Sequence, residues 1–428
     1  MSDTFPHIIV PQRITPLRIS AFTATSAVGV GKASLLAALE SSRSGLRAND
    51  FVDETAGRTP PAPLPTWIGR VEGLEDLRLP EALASWDCRN NRLAWLGLEA
   101  DGFMEAVAAA RGRYGPARVA VILGTSTSSI GETEAAYTRL DADGAFPADQ
   151  RRARVHTPHS LSMFVQEALG LEGPNETLST ACSSSAKAFA SAERMIRLGL
   201  VDAAVVGGVD TLCGSVLYGF NSLELVSPQP CRPFDAARDG ISLGEAAGFA
   251  LLERAEEDGA GDGARDGAAG GRLLLLGYGE ASDAHHMSTP HPQGLGAERA
   301  LDDALARAGV APEDIGYINM HGTASTKNDE VEGALVKRRF PATTHASSTK
   351  GFTGHTLGAA GIVEAVISLL ALETGLLPGT INTTMLDADC GPQIRLEPAR
   401  ADVRLALSNS FGFGGNNCSL IFGKDLQA

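Results

Sequence analysis

Short apolar runs rich in branched residues alternate along the chain with longer Ala-rich stretches whose apolar positions recur at helical spacing. That alternation predicts α/β layers around buried sheets. Strands are expected over residues 118–122, 203–206, 248–252, 272–276, 315–319 and 403–407. Between 257 and 271 the run EDGAGDGARDGAAGG loses all hydrophobic periodicity and predicts a flexible, solvated linker. It divides the chain into unequal halves, 1–265 and 266–428. Each half carries an apolar strand that leads through a polar turn into a small-residue helix, around 177–196 and around 347–372. The shared pattern suggests a duplicated unit.

The turn in the first half holds a thiol. In NETLSTACSSSAKAFASAERMI, Cys182 lies among Thr180, Ser183, Ser184 and Ser185, and Phe189, Ala192 and Ile196 follow at helical spacing. Cys182 is therefore expected near a helix N-terminus, where unpaired N–H groups and the positive end of the helix dipole favour the thiolate. A single cysteine is more often a small buried hydrophobe than a catalyst. Neighbouring hydroxyls and a small-residue approach set Cys182 apart from Cys88, Cys213, Cys231, Cys390 and Cys418, which read as structural.

The second half supplies bases. IGYINMHGTASTKNDEVE sends a strand into a Gly-Thr turn, putting His321 at the strand's end, where α/β sites usually lie. SSTKGFTGHTLGAAGIVEA puts Lys350 and His355 in a Gly-punctuated loop feeding a helix. Neither histidine belongs to a metal-ligand pattern, so no metal site is expected. His285, His286 and His291 form a looser group that reads as loop residues. In SNSFGFGGNNCSLIF, Phe411 and Phe413 stand among glycines just after the last expected strand. Such a loop can move, bring backbone N–H groups close to a ligand and gate an apolar tunnel.

Composition narrows the classes. At 428 residues the chain can bury a large core, and its formal net charge of −15 argues against nucleic acid as a general partner. The six cysteines include no CxxC pair, which fits reduced thiols in a cytoplasm. No basic segment followed by a long apolar stretch opens the chain, and no run of about 18 apolar residues is evident, so neither export nor a membrane span is expected.

Six segments together resemble the β-ketoacyl carrier-protein synthases, condensing enzymes of the thiolase-fold superfamily. They are TACSSS at Cys182, CRPFDAARDGISLGEAAG from Cys231, SDAHHM from Ser282, HGTAST at His321, SSTKGFTGHTLGAAG from Ser347 and SNSFGFGGNN from Ser408. The resemblance implies a thiolase-like duplicated α-β-α-β-α layered fold with mixed five-stranded sheets. It also implies decarboxylative condensation of an acyl thioester on Cys182 with a malonyl carrier protein, extending the product by two carbons in fatty-acid or polyene/polyketide-type synthesis. Cys182 is the implied nucleophile, and His321 and His355 serve decarboxylation with support from Lys350. The N–H groups of Cys182 and Phe413 form the implied oxyanion hole, and Phe413 also gates the acyl tunnel. Glu332 matches a family carboxylate that organises water or a cation, while Phe411, Thr323 and Asp283 support the site. No resident cofactor is implied, since substrates ride on the phosphopantetheine of an acyl carrier protein. A homodimer, or a heterodimer with a related subunit, is the implied assembly.

Four residues depart from the family's usual pattern: Ser325 and Thr326, Asn416, and Glu224, where some fatty-acid members carry an Arg used for carrier docking. Two other readings remain beside the synthase. One is a non-catalytic chain-length or scaffold subunit, which typically lacks the nucleophile. The other is a degradative thiolase, which carries a second catalytic Cys in a Cys-Gly context that Cys418 does not share.

Overall fold

Ten strands hydrogen-bond into one sheet in the computed structural model, which describes residues 12–51, 63–255 and 272–425. In the first half they are β1 (Leu17–Ser26), β2 (Val119–Gly124), β3 (Asn175–Leu178), β4 (Ala203–Asp210) and β5 (Ala246–Arg254). The second half supplies β6 (Arg272–Ser282), β7 (Tyr317–Asn319), β8 (His345–Ser347), β9 (Leu405–Gly412) and β10 (Asn416–Asp425). Their spatial order is β8-β7-β9-β10-β6-β1-β5-β4-β2-β3.

Each half has the same topology. Its second strand runs parallel to the third and the fourth, the fifth is antiparallel to the fourth, and the first is antiparallel to the fifth. Among the described residues the two mixed five-stranded sheets pair only where Leu17 and Arg18 of β1 meet Leu275 and Leu274 of β6. The boundary expected between 265 and 266, and the expected linker over 257–271, lie outside the described residues.

Strand alternation sorts side chains into layers. On β2, Val119, Val121 and Leu123 face an outer layer that includes Leu93, Phe103 and Phe164 of helices Arg89–Leu98, Phe103–Tyr114 and Ser160–Leu169. Ala120 and Ile122 face a middle layer, where α1 (Ser184–Arg197) and α2 (Ala360–Thr374) lie between the sheets. The far outer layer packs helices Leu295–Ala308 and Thr326–Arg339 against Ile318 and Leu407. This is the duplicated α-β-α-β-α arrangement expected from the sequence. Because both sheet faces are covered, central strands such as β2 (VAVILG) read as continuous apolar runs.

The middle layer is tight. A Cβ on Gly361 of α2 would lie 2.7 Å from the Ala186 nitrogen of α1, so the two helices touch through backbone. The segment Leu357–Thr374 is long and apolar enough to cross a membrane by length and composition. It is 89% buried between the sheets and serves as a core helix.

Candidate active site

Cys182 stands at the joint between β3 and α1. Ala181 before it adopts a left-handed φ of 54°, turning the chain sharply from strand to helix. The serines hold that turn closed: Ser183 Oγ donates to the Thr180 carbonyl at 2.9 Å, and Ser184 Oγ donates to the Ala181 carbonyl at 2.6 Å. Ser185 Oγ accepts the Ile362 N–H at 2.9 Å and so ties α1 to α2. The hydroxyls around Cys182 thus satisfy backbone groups of the turn.

The duplication delivers the second group. His355 precedes α2 as Cys182 precedes α1, and its backbone is fixed between Ser242 O and Gly244 N, at 2.7 and 3.0 Å. Its Nε2 lies 2.9 Å from Cys182 Sγ, and its Nδ1 has no hydrogen-bond partner among the described residues. His321 follows β7, with its ring nearly perpendicular to that of His355 and 5.4 Å away. Ligating atoms of Cys182, His321 and His355 all lie within 4.8 Å of one another.

Buried carboxylates organise the bases. The two oxygens of Glu332 accept the N–H groups of His321 and Gly322, each at 2.8 Å, and Asn409 Nδ2 donates to one of them at 3.2 Å. Lys350 Nζ donates to the His321 carbonyl and pairs with Glu364, and it lies 3.3 Å from His321 Nδ1. An ammonium can only donate, so that contact makes Nδ1 an acceptor and leaves the proton on Nε2.

Burial decides the charge states. It pushes the Cys182 thiol up to about 11, although the Lys350 charge and the Phe413 N–H pull the other way. Desolvation therefore works against the thiolate expected at the helix N-terminus. Burial, reinforced by Lys350, holds His321 and His355 well below the ordinary imidazole value. Both rings are neutral. Burial also lifts Glu332 and Glu364 to about 7.

A cavity of about 260 Å³ reaches Cys182, His321 and His355. Phe220, Leu223, Leu225, Ile241, Phe411 and Phe413 give it an apolar wall, while Thr323 and 325–328 form a polar one. Phe413 stacks on Phe220 at 5.6 Å. Contrary to the expected loop, Phe411 and Gly412 end β9, and only Phe413–Gly415 form the turn before β10. That turn is tied to its neighbour, since the Gly414 N–H donates to the Met287 carbonyl at 2.7 Å.

Asp283 accepts the His291 and Gly296 N–H groups and the Asn417 amide, a bracing role between loops. Thr323 Oγ1 hydrogen-bonds Ser325 Oγ at 2.8 Å. His285 and His291 pack ring to ring at 5.1 Å, and from their loop the cavity is lined instead by Ser288, Thr289 and Pro290. Glu224, with a left-handed φ of 58°, is exposed next to Leu223 on the cavity wall.

Sequence reasoning missed Glu364. Its signal was the single carboxylate in the stretch Ala360–Leu372 of α2, whose residues are all buried. Phe220 and the close approach of Gly412 to Cys182 were likewise unmarked, since neither has a sequence pattern of its own.

A β-ketoacyl synthase N-terminal domain matches residues 91–258, and the corresponding C-terminal domain matches 274–384. The chain is 41% identical over 265 residues to 3-oxoacyl-(acyl-carrier-protein) synthase 2 of Rhizobium meliloti, across 59% of this chain and 61% of that protein. It is 32% identical over 319 residues to the protein of the same name from Staphylococcus aureus strain COL, across 72% and 75% of the two chains. Among solved structures, a ketosynthase (ApeO) in complex with its chain length factor (ApeC) from Xenorhabdus doucetiae matches with a TM-score of 0.82 at 36% identity. That match covers 96% of this chain and 98% of the other.

Proposed function

The chain belongs to the β-ketoacyl synthase family, and on that premise we propose that it condenses an acyl group held on Cys182 with a malonyl group delivered by a carrier protein. One observation carries the reading: a thiol 2.9 Å from a neutral imidazole, with a second neutral imidazole alongside, at the inner end of an open cavity.

In the first half-reaction His355 Nε2 takes the proton of Cys182 as sulfur attacks the acyl thioester, and the proton passes to the departing carrier thiolate. The N–H groups of Cys182 and Phe413 stabilise the tetrahedral oxyanion. Malonyl carrier protein then binds. As carbon dioxide leaves, negative charge moves onto the thioester oxygen, where Nε2–H groups of His321 and His355 stabilise it. Neutral rings suit this step; His355 Nε2, which accepts from the thiol at rest, must now carry the proton, and its Nδ1 has no hydrogen-bond partner among the described residues to oppose that tautomer. The enolate attacks the acyl-Cys182 carbon and expels the thiolate, which takes a proton from solvent, and the β-ketoacyl product is two carbons longer.

The retained thiol and both imidazoles favour a catalytic subunit over a non-catalytic scaffold. We further propose that the chain works as a dimer with a second copy or a related subunit, in a reducing cytoplasm where its six free thiols persist. The test is to incubate the protein with an acylated carrier protein, digest it and weigh the Cys182 peptide. An added acyl mass, absent in Cys182→Ala, is expected. A wild-type peptide that never gains that mass overturns the mechanism.

A further inference from the structure

We propose that Cys182, His321 and His355 also form an inhibitory site for a thiophilic divalent cation such as Zn2+ or Cd2+, with the cavity supplying the route in and the open fourth position. The argument rests on ligand type, spacing and access. One sulfur and two imidazole nitrogens are the donors these ions prefer, and a site with three protein ligands and one open position is the usual plan of an accessible zinc centre.

Spacing fits as well. With metal–sulfur and metal–nitrogen bonds of about 2.3 and 2.0 Å, tetrahedral ligands stand roughly 3.5 Å apart. The atoms here bracket that value: Cys182 Sγ and His355 Nε2 are 2.9 Å apart, and all three ligands fall within 4.8 Å of one another. Movements of about 1 Å at side-chain tips therefore suffice.

The surroundings permit the required protonation. Ligation through His321 Nε2 sends that ring's proton to Nδ1, which faces Lys350. That tautomer sets an N–H against the Lys350 ammonium, so Nζ must turn away from Nδ1 and keep to its two oxygen acceptors, the His321 carbonyl and Glu364. Among the described residues His355 Nδ1 has no hydrogen-bond partner to oppose ligation through Nε2. On binding, the Cys182 S–H bond breaks, a metal–sulfur bond forms, and one proton leaves to the buffer; no electron is transferred. Acylated Cys182 has no thiolate to offer, so metal and acyl group exclude each other.

Titrating the purified, metal-free protein with Cd2+ tests this by the ultraviolet thiolate-to-cadmium absorption, a readout independent of catalysis. One equivalent is expected to raise the band, and Cys182→Ser or prior acylation of Cys182 is expected to abolish it. His321→Ala and His355→Ala, which keep the thiol, are each expected to weaken binding by at least about ten-fold. A band that survives Cys182→Ser overturns the proposal, as does an affinity unchanged in both histidine variants. Failure of the acyl-mass experiment alone leaves it untouched, because cation binding needs the three ligands and no carrier protein.

Discussion

At the scale of single residues, the site runs on desolvation. Cys182 lies where a helix field, a lysine and a backbone N–H all favour the anion, yet burial wins and lifts the thiol to about 11. A raised thiol value means the thiolate fraction grows with pH, by about ten-fold per unit until the value is reached. We therefore expect the rate of Cys182 alkylation by iodoacetamide, followed by mass spectrometry, to keep climbing above pH 9. A plateau below pH 8 would instead mean a preformed thiolate–imidazolium pair. Lys350 and Glu364 form the other decisive pair, buried to 2% and 3% side-chain exposure. Glu364→Leu strands an ammonium in the core and is expected to cost about 3–5 kcal/mol in chemical denaturation. Adding Lys350→Met should restore most of that loss, because an apolar pair of similar volume carries no unpaired charge. If the single variant is as stable as the parent, the pair does not hold the middle layer together.

At the scale of elements, the turn between β9 and β10 brings one backbone against another. A Cβ on Gly412 would lie 2.9 Å from the Thr180 carbonyl and 3.3 Å from the Cys182 nitrogen. Gly412→Ala therefore pushes on a proposed oxyanion donor, whereas Phe413→Ala keeps its own N–H and loses only the stack on Phe220. In single-turnover acylation read by mass spectrometry, Gly412→Ala should fall about 100-fold, the scale of one lost donor. Phe413→Ala should stay within a few-fold of wild type; equal losses in the two would remove the oxyanion role from this turn.

The same elements mark how far the chain could be read. All six expected strands exist, because runs such as VAVILG at 119–124 are apolar on both faces. β1 and β10 were not expected, because LRISAFTATS and NNCSLIFGKD mix polar groups among the apolar ones, whereas β3 and β8 coincide with the strands read at the head of the segments around 177–196 and 347–372. Cys182, His321, His355 and Lys350 were legible from their motifs and converge in space. Glu364 was not, since a buried carboxylate shows its purpose only once its lysine, fourteen positions earlier in the chain, is seen against it.

At the scale of the whole molecule, two ends of the sheet face different fates. Beyond β8, residues 393–395 hydrogen-bond Ala346 and close that edge. β3 pairs only with β2, and its four residues are half-buried. The Pro174 and Leu178 carbonyls accept from Val121 and Thr125, so Asn175 and Thr177, of opposite parity, turn their N–H and C=O groups outward. Exposed Ile130, Tyr137, Tyr218 and Leu223, on or just after the helices Ile130–Thr138 and Gly214–Ser222, are apolar groups left uncovered in the same half. An open edge and uncovered apolar side chains are what a second subunit would satisfy by extending the sheet. Thr177→Pro removes one outward N–H while leaving the inward bonds to β2 intact, and Glu176 before it already has the extended backbone a following proline requires. Thr177→Ala is the matched control, because it also loses the hydroxyl contacts to His159 and Ser162 yet keeps the N–H. Sedimentation velocity should show Thr177→Pro shifted toward monomer and Thr177→Ala associated like wild type. If the two variants sediment alike, the subunits do not join along β3, and the apolar helices must meet a partner by some other face.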